Sequence, residues 1–329
     1  MPRMNARSAP LRMQLNTFFS GPQAWLFLAE DRGYLRDEGL TIAFTEGDTA
    51  ANVVPRMAAG GFDVGYGDLN ALIEHAGKGL GNAPLAVFAS YNASPYTIAF
   101  PRESAVTDPL KLAGLKLSAH PNDAAMMLFP ELCRLSGLDA SAVGIEICPA
   151  PHSDMVPDLL RGRWDGMFGF VNTLIAASIE AGIDPNERLH FMEYNDHLPD
   201  LYGMAVLASP QLVRDEPETI ERLLRALNRG LQDTVDDIDA AIDSLARRKP
   251  GMNRESDRRR LEGTLKLEMA HREGAALGIG QMDMARFQHS IDLICATRGL
   301  PHTPLASRLF NPAWLPPLEE RVTQLARER

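Results

Sequence analysis

Alternation of apolar and polar side chains over Leu11 to Asn16 predicts a first strand. After the loop Thr17-Phe18-Phe19-Ser20-Gly21-Pro22, the spacing of Trp25, Leu26, Leu28 and Ala29 predicts a helix over about Gln23 to Asp31. Thr41 to Thr45 reads as a second strand. Gly47-Asp48-Thr49 then offers an N-cap to a helix that carries Val53, Val54 and Met57 and ends at Gly60. Val64 to Tyr66, a helix across Asn70 to His75 and the apolar run Leu85 to Ser90 complete a βαβαβαβ series, which argues for a doubly wound sheet.

Tyr96 to Phe100 reads as an extended crossover, and Leu115 to Ser118 begins a second series. A helix with Met126, Met127, Leu128 and Leu132 follows, kinked or divided by Pro130 and closed by Gly137. The series continues with strand Val143 to Cys148, a helix ending at Gly162, strand Gly166 to Phe170, a helix over Thr173 to Ala181 and a strand near His190 to Glu193. Tyr202 to Ala208 is a second crossover. Beyond it the pattern is helical: Ile220 to Val235, Ala240 to Arg247, Arg258 to Glu273 and Asp283 to Thr297, then a proline-rich tail that wraps the surface before a final short helix.

Met57-Ala58-Ala59-Gly60-Gly61-Phe62-Asp63-Val64-Gly65 in the first series is echoed by Leu160-Arg161-Gly162-Arg163-Trp164-Asp165-Gly166 in the second. In both, glycine closes a helix, an aromatic anchors the turn and aspartate precedes a short buried strand. The expected architecture is α/β: two doubly wound lobes on parallel sheets, joined by two crossover strands, with C-terminal helices. Lobe I would comprise residues 11–96 and 204–329, and lobe II residues 97–203. Phe62 and Trp164 are expected at equivalent core positions.

Composition narrows the function. With 45% hydrophobic and 23% charged residues, the 329-residue chain has the make-up of a soluble globular protein long enough for two domains. A formal net charge of −10 and the lack of a basic stripe argue against nucleic-acid binding. Arg258-Arg259-Arg260 sits among Asp257 and Glu262 as a solvated helix face. No window approaches the roughly 18 apolar residues of a membrane span. Met1 to Pro10 is basic and polar without the apolar stretch of a signal peptide, so either the protein is cytoplasmic or a leader lies outside this chain. Cys133, Cys148 and Cys295 match no zinc or redox spacing and read as buried thiols.

No nucleophile elbow, zinc-binding helix or phosphate loop occurs, and no catalytic residue, metal or cofactor is expected. Gly77 to Gly81 is glycine-rich but follows a helix, so it reads as a loop. The informative residues are polar and aromatic ones at the carboxyl ends of strands, where open α/β sheets bind ligands. In the first half these are Asn16, Phe18, Gln23, Asp48, Tyr66, Asp68 and Asn70, with Asn92, Ser94 and Tyr96 near the crossover. In the second they are Ser118, His120, Asn122, Asp123, Phe168, Phe170, Asn172, Tyr194 and Tyr202; His120 and His152 both lie on βα loops, where a solvent-exposed or capping role is favoured over ligand contact. Caps, turns and core packing are the competing roles; capping is favoured for Asn122 and Asp123, and for Asp68 it competes evenly with ligand contact. No lysine or arginine belongs to this set. A neutral or cationic, ring-containing ligand follows, stacked on Phe18, Tyr66 and Tyr96 and accepted by Asp48, Asp68 and Asn172. Asp68→Ala should weaken its binding more than tenfold.

Leu28-Ala29-Glu30-Asp31-Arg32-Gly33-Tyr34-Leu35-Arg36-Asp37-Glu38-Gly39-Leu40 resembles the A-x-x-x-G-Y-F-x-x-E-G-L signature of substrate-binding proteins of ABC importers for thiamine pyrimidine precursors, riboflavin, taurine and alkanesulfonates. Gly61 to Gly65 resembles the turn that follows it in that family, and Leu224 to Gly230 its L-x-A-x-x-x-G helix. The resemblance implies a two-lobed, type II periplasmic-binding-protein fold, a small-molecule ligand captured in the inter-lobe cleft by hinge closure, an ABC permease as partner and a periplasmic location. Where pyrimidine-binding relatives read D-W-x-P-N-x-x-H, this chain has Asn16, Thr17, Phe19, Ser20 and Gln23. The cysteine-rich run and the histidine of synthase relatives are absent, with Asn70 and Ala71 in the histidine's neighbourhood. The alternative class is an enzyme on the same fold acting on a small heteroaromatic compound.

Overall fold

The computed structural model describes residues 9–325 apart from 122 and 272. These residues form two compact units. One runs to Ala93 and resumes at Tyr202; the other is Ser94–Leu201. Asn122 and the basic segment up to residue 8 lie outside the described residues.

The first unit is built on a five-stranded sheet of β1 (Leu11–Gln14), β2 (Ile42–Thr45), β3 (Val64–Asp68), β4 (Leu85–Ala89) and β10 (Met204–Ala208), in the order β2-β1-β3-β10-β4. β1 pairs parallel with β2 and β3, whereas β10 is antiparallel to both β3 and β4. The second unit holds β5 (Tyr96–Pro101), β6 (Lys116–Ala119), β7 (Gly144–Ile147), β8 (Gly166–Phe170) and β9 (Leu189–Glu193), in the order β7-β6-β8-β5-β9. There β6 is parallel to β7 and β8, and β5 is antiparallel to β8 and β9. Both sheets are therefore mixed, which corrects the expectation of parallel sheets. The reason is that each extended crossover enters its sheet as a reversed strand in the fourth place.

The echoed motif has one structural role in both units. Gly60 and Gly162 both take φ of 80°, closing helices Val53–Ala58 and His152–Leu160. The Asp63 carboxylate accepts from the amide of Arg12 at 3.0 Å, and the Asp63 amide donates to the Arg12 carbonyl at 3.0 Å. Asp165 does the same with Lys116, at 2.8 Å in each direction. Aspartate is thus the residue that ties the turn to the neighbouring parallel strand, β1 in one unit and β6 in the other. The aromatic positions differ: Trp164 is buried, but Phe62 is only half-buried, so the expected equivalence in the core fails for Phe62.

Helical readings hold where spacing is regular. Pro130 divides its helix into Ala124–Met127 and Phe129–Ser136, and sits in the first turn of the second piece, where its missing amide is harmless. The Pro217–Asp236 helix lays Leu223, Leu224, Leu227 and Leu231 against the Ala24–Asp31 helix in the core of the first unit. Gly230 lies at that crossing, where a Cβ would come within 2.5 Å of the Ala29 Cβ. The single helix expected over Arg258 to Glu273 is instead Arg254–Gly263 followed by a π-helical turn, Thr264–Met269, that ends on extended backbone at Ala270. Among the described residues, no helix is long and apolar enough to cross a membrane.

Candidate functional site

In the first unit, the loop after β1 is wired to itself. Asn16 Oδ1 accepts from Gln23 Nε2 at 2.6 Å, and Gln23 Oε1 accepts from the Ser20 amide at 2.9 Å and from Ser20 Oγ at 3.0 Å. Both Asn16 and Gln23 are buried, so amide hydrogen bonds hold the loop together with the packing of Phe19 on Phe27. Phe18 is 52% exposed, with Lys249 Nζ 4.7 Å and Arg260 Cζ 6.0 Å from its ring centre. Lys249 Nζ also donates to the Phe19 carbonyl at 3.1 Å. Asp48 is exposed, and its carboxylate is taken up by Asn52 at 3.0 Å and Arg56 at 2.9 Å.

After β3, Asp68 is buried and caps the Leu69–Gly77 helix, its Oδ1 accepting from the amides of Asn70 at 2.6 Å and Ala71 at 3.2 Å. Asn70 Nδ2 donates to the Tyr202 carbonyl at 2.9 Å. Tyr66 is fully buried, edge-on to Trp25 and Tyr91, and its hydroxyl accepts from Ser90 Oγ at 3.0 Å. Its ring belongs to the core and offers no open stacking face. Tyr202 is buried as well; its hydroxyl accepts from the Asp283 amide at 3.0 Å, and the Arg286 guanidinium lies 4.1 Å above its ring.

This edge also gathers residues that the sequence reading missed, all carried by the C-terminal segments. Glu268 is buried, and its Oε2 accepts from Thr264 Oγ1 at 2.7 Å. Its carbonyl accepts from the Ala93 amide at 3.0 Å. Burial first, and then the charge of Glu268, raise the hydroxyls of both Tyr66 and Tyr91. Arg286 donates to the Asn92 carbonyl, and Asn92 Nδ2 to the Met269 carbonyl at 3.4 Å. His271 is buried, and neither ring nitrogen meets a hydrogen-bond partner among the described residues; Glu273 Oε2 lies 3.9 Å from its Nδ1. Burial pushes the imidazole down to about 4, against the pull of Glu273. One signal was available: Glu268 falls three residues after Leu265 and seven after Leu261, on the stripe that those leucines bury. The cations that the sequence set lacked, Lys249, Arg260 and Arg286, come from helices remote in sequence, which periodicity cannot assign to a strand edge.

In the second unit, Tyr96 stands opposite Phe170 in the β5–β8 ladder, with ring centres 5.4 Å apart, and Tyr194 packs on Tyr96 from β9's end. Tyr96, Phe168 and Tyr194 are buried; Phe170 is half-buried. The Tyr194 hydroxyl donates to the Ala125 carbonyl at 2.9 Å. Asp123 caps the Ala124–Met127 turn through amides of Ala125 and Met126, at 2.8 and 3.2 Å. Burial outweighs those bonds and pushes its carboxyl up to about 6. The His120 ring stacks on His152 at 5.5 Å. Ser94, Ser118 and Asn172 are buried, yet among the described residues Ser94 Oγ, Ser118 Oγ and Asn172 Nδ2 have no partner. A buried polar group left unpaired costs about 1–3 kcal/mol, so three on one sheet edge offer places for a bound polar group. Among the described residues, no group of three His, Cys, Asp or Glu could hold a metal ion.

Comparison with known proteins agrees with this architecture. The family described as NMT1/THI5 like matches residues 23–241. The 4-amino-5-hydroxymethyl-2-methylpyrimidine phosphate synthase of Aspergillus parasiticus is 21% identical over 246 residues, 72% of this chain and 70% of the relative. The alkanesulfonate-binding protein SsuA from Xanthomonas axonopodis pv. citri, bound to MOPS, superposes with a TM-score of 0.69 at 18% identity, covering 93% of this chain and 99% of that one. The periplasmic aliphatic sulphonate-binding protein SsuA from Escherichia coli gives 0.69 at 15%, covering 92% and 97%. These likenesses show the α/β fold of periplasmic binding proteins.

Proposed function

The chain belongs to the NMT1/THI5 like family, and from that premise we propose that it is the solute-binding component of an ABC importer, located in the periplasm, for a small ring-containing solute, neutral or cationic. The observation that carries the reading is the concentration of buried polar side chains at the carboxyl edge of each sheet: Asn16, Gln23, Asp68 and Asn70 in one unit, Ser94, Ser118 and Asn172 in the other. Asn16, Gln23, Asp68 and Asn70 are spent on the loop, the helix cap and the Tyr202 carbonyl, whereas Ser94, Ser118 and Asn172 keep polar atoms that the core does not use and a ligand could. The charge of the solute follows from the buried carboxyls Asp68 and Glu268 and the half-buried Asp123, together with the engagement of Lys249 by the Phe19 carbonyl and of Arg286 by the Asn92 carbonyl. Capture would proceed by hinge closure, the motion such folds use.

Native mass spectrometry of the purified chain, followed by calorimetry against pyrimidines, flavins, sulfonates and aromatic acids, tests the proposal. A retained or titrated neutral or cationic ring compound, left chemically unchanged, is the expected result. Binding restricted to sulfonates or carboxylates would reject the charge assignment. A second reading has one specific observation behind it: His271, buried and without a hydrogen-bond partner among the described residues, lies near Glu273 in the segment that carries Glu268, and together they are groups suited to proton transfer. The synthase among the relatives points the same way. Conversion of a bound heteroaromatic compound by the purified chain, abolished by His271→Gln, would favour an enzyme over a carrier.

A further inference from the structure

We infer that Ser94 and Asn172 form a subsite for an acceptor oxygen of the ligand, a carbonyl or an oxyanion oxygen, at the start of the Val171–Glu180 helix. The inference deepens the binding-protein reading and rests on it for the identity of the ligand, but not for the existence of the subsite.

The backbone pairing sets the two residues opposite one another. Tyr96 and Phe170 are direct partners in the antiparallel β5–β8 ladder, and just beyond them the Val171 amide donates to the Pro95 carbonyl at 3.0 Å. Ser94 and Asn172 flank that bond, one on each chain. Ser94 is 4% and Asn172 5% exposed, and among the described residues neither Ser94 Oγ nor Asn172 Nδ2 has a hydrogen-bond partner, including each other. Both groups can donate: the hydroxyl one proton, the amide nitrogen two.

The helix adds donors of the same sense. Val171–Glu180 has ten residues, and its N-cap is Phe170, whose side chain cannot accept from the first-turn amides. The other long strand-to-helix junction after a third strand, at Asp68, is capped by a carboxylate. An aromatic N-cap leaves the positive end of the helix open to an acceptor from elsewhere. Two groups free to donate beside an open helix start therefore favour an oxygen, and the positive end of the helix disfavours an ammonium. No lysine or arginine side chain takes part, so a neutral carbonyl is served as readily as an anion.

The test reads the Asn172 side-chain amide directly in the full chain, by NMR with asparagine side chains labelled, the signal being assigned by its loss in Asn172→Asp. Four probes share one ring: benzamide, benzoate, benzenesulfonate and benzylamine. At least one of the first three should move the Asn172 signal in a saturable way, and benzylamine should not. Ser94→Ala should raise the apparent Kd of the responding probe about tenfold, the loss of one hydrogen bond. Response to benzamide keeps the neutral-solute reading; response only to the two anions keeps the subsite and rejects that charge assignment. A signal unmoved by all four probes, as a pair holding only a fixed water would give, overturns the inference, and so does an equal response to benzylamine. If Asn172→Asp fails to fold, the Ser94→Ala comparison and the differential response of the wild-type amide signals still decide it. Failure of calorimetry to find any physiological solute would count against the proposed function and leave this result standing.

Discussion

Asp123 is held at a helix start by two amides, yet its carboxyl titrates near 6, because burial costs the charged form more than those bonds return. The folded state then binds a proton that the unfolded state has already lost, between the unfolded value of 3.8 and about 6. Stability contributed at this site is complete below the lower value and lost as pH rises through the upper one. Asp123→Asn keeps a capping side chain and removes the titration. Urea melts of wild type and variant should therefore diverge in favour of the variant as pH rises from 4 to 7; parallel profiles would show that the carboxyl is not desolvated. Asp68 separates cap from charge in the same way. Asp68→Asn should leave the melting temperature nearly unchanged, while Asp68→Ala loses about 1 kcal/mol. A loss of ligand affinity above tenfold in the asparagine variant would assign the charge to the ligand. Trp164 and Phe62 carry unequal weight despite their matched positions in sequence: Trp164→Ala should cost about 3–5 kcal/mol and Phe62→Ala no more than about 2 kcal/mol, read as shifts in urea midpoint.

At the scale of the element, Gly230 shows how a single missing side chain sets a helix crossing. A Cβ there would stand 2.5 Å from the Ala29 Cβ and 2.8 Å from the Trp25 carbonyl oxygen, neither of which can rotate away. Alanine favours a helix over glycine by about 1 kcal/mol, but the overlap should win. We expect Gly230→Ala to be destabilising by about 1–3 kcal/mol at an unchanged denaturant slope, and a stabilised variant would mean that the two helices sit further apart. The strands and the long helices were legible because their signals are local: alternation in Leu11 to Asn16, the leucine stripe from Leu223 to Leu231, the glycines at 60 and 162. The direction of the crossover strands was not, since Tyr96 to Phe100 reads the same whichever way it enters a sheet. At the candidate site, strand-end residues such as Asn16, Asp68 and Asn172 could be found from their place after a strand. Glu268, His271 and Arg286 could not, because they reach the same edge from C-terminal segments remote in sequence, through contacts that only the tertiary fold creates.

The reversed fourth strand has a consequence for the molecule as a whole. β10 lies between β3 and β4 and pairs with both, so the sheet of the first unit has no continuous ladder until Met204–Ala208 is in place. The second unit is one contiguous segment, Ser94–Leu201, and needs nothing from outside it to complete its own five strands. Pulse-labelling hydrogen exchange during refolding should accordingly protect amides of β5, β6 and β8 before those of β4 and β10; the opposite order would mean that the first unit closes without waiting for its central strand. On the ribosome the delay becomes a matter of elongation speed. β4, Leu85–Ala89, leaves the tunnel apolar and without its neighbour, an open template for pairing with other chains. It stays so while Ser90 to Met204 is translated, an interval on the order of ten seconds at ordinary rates of synthesis.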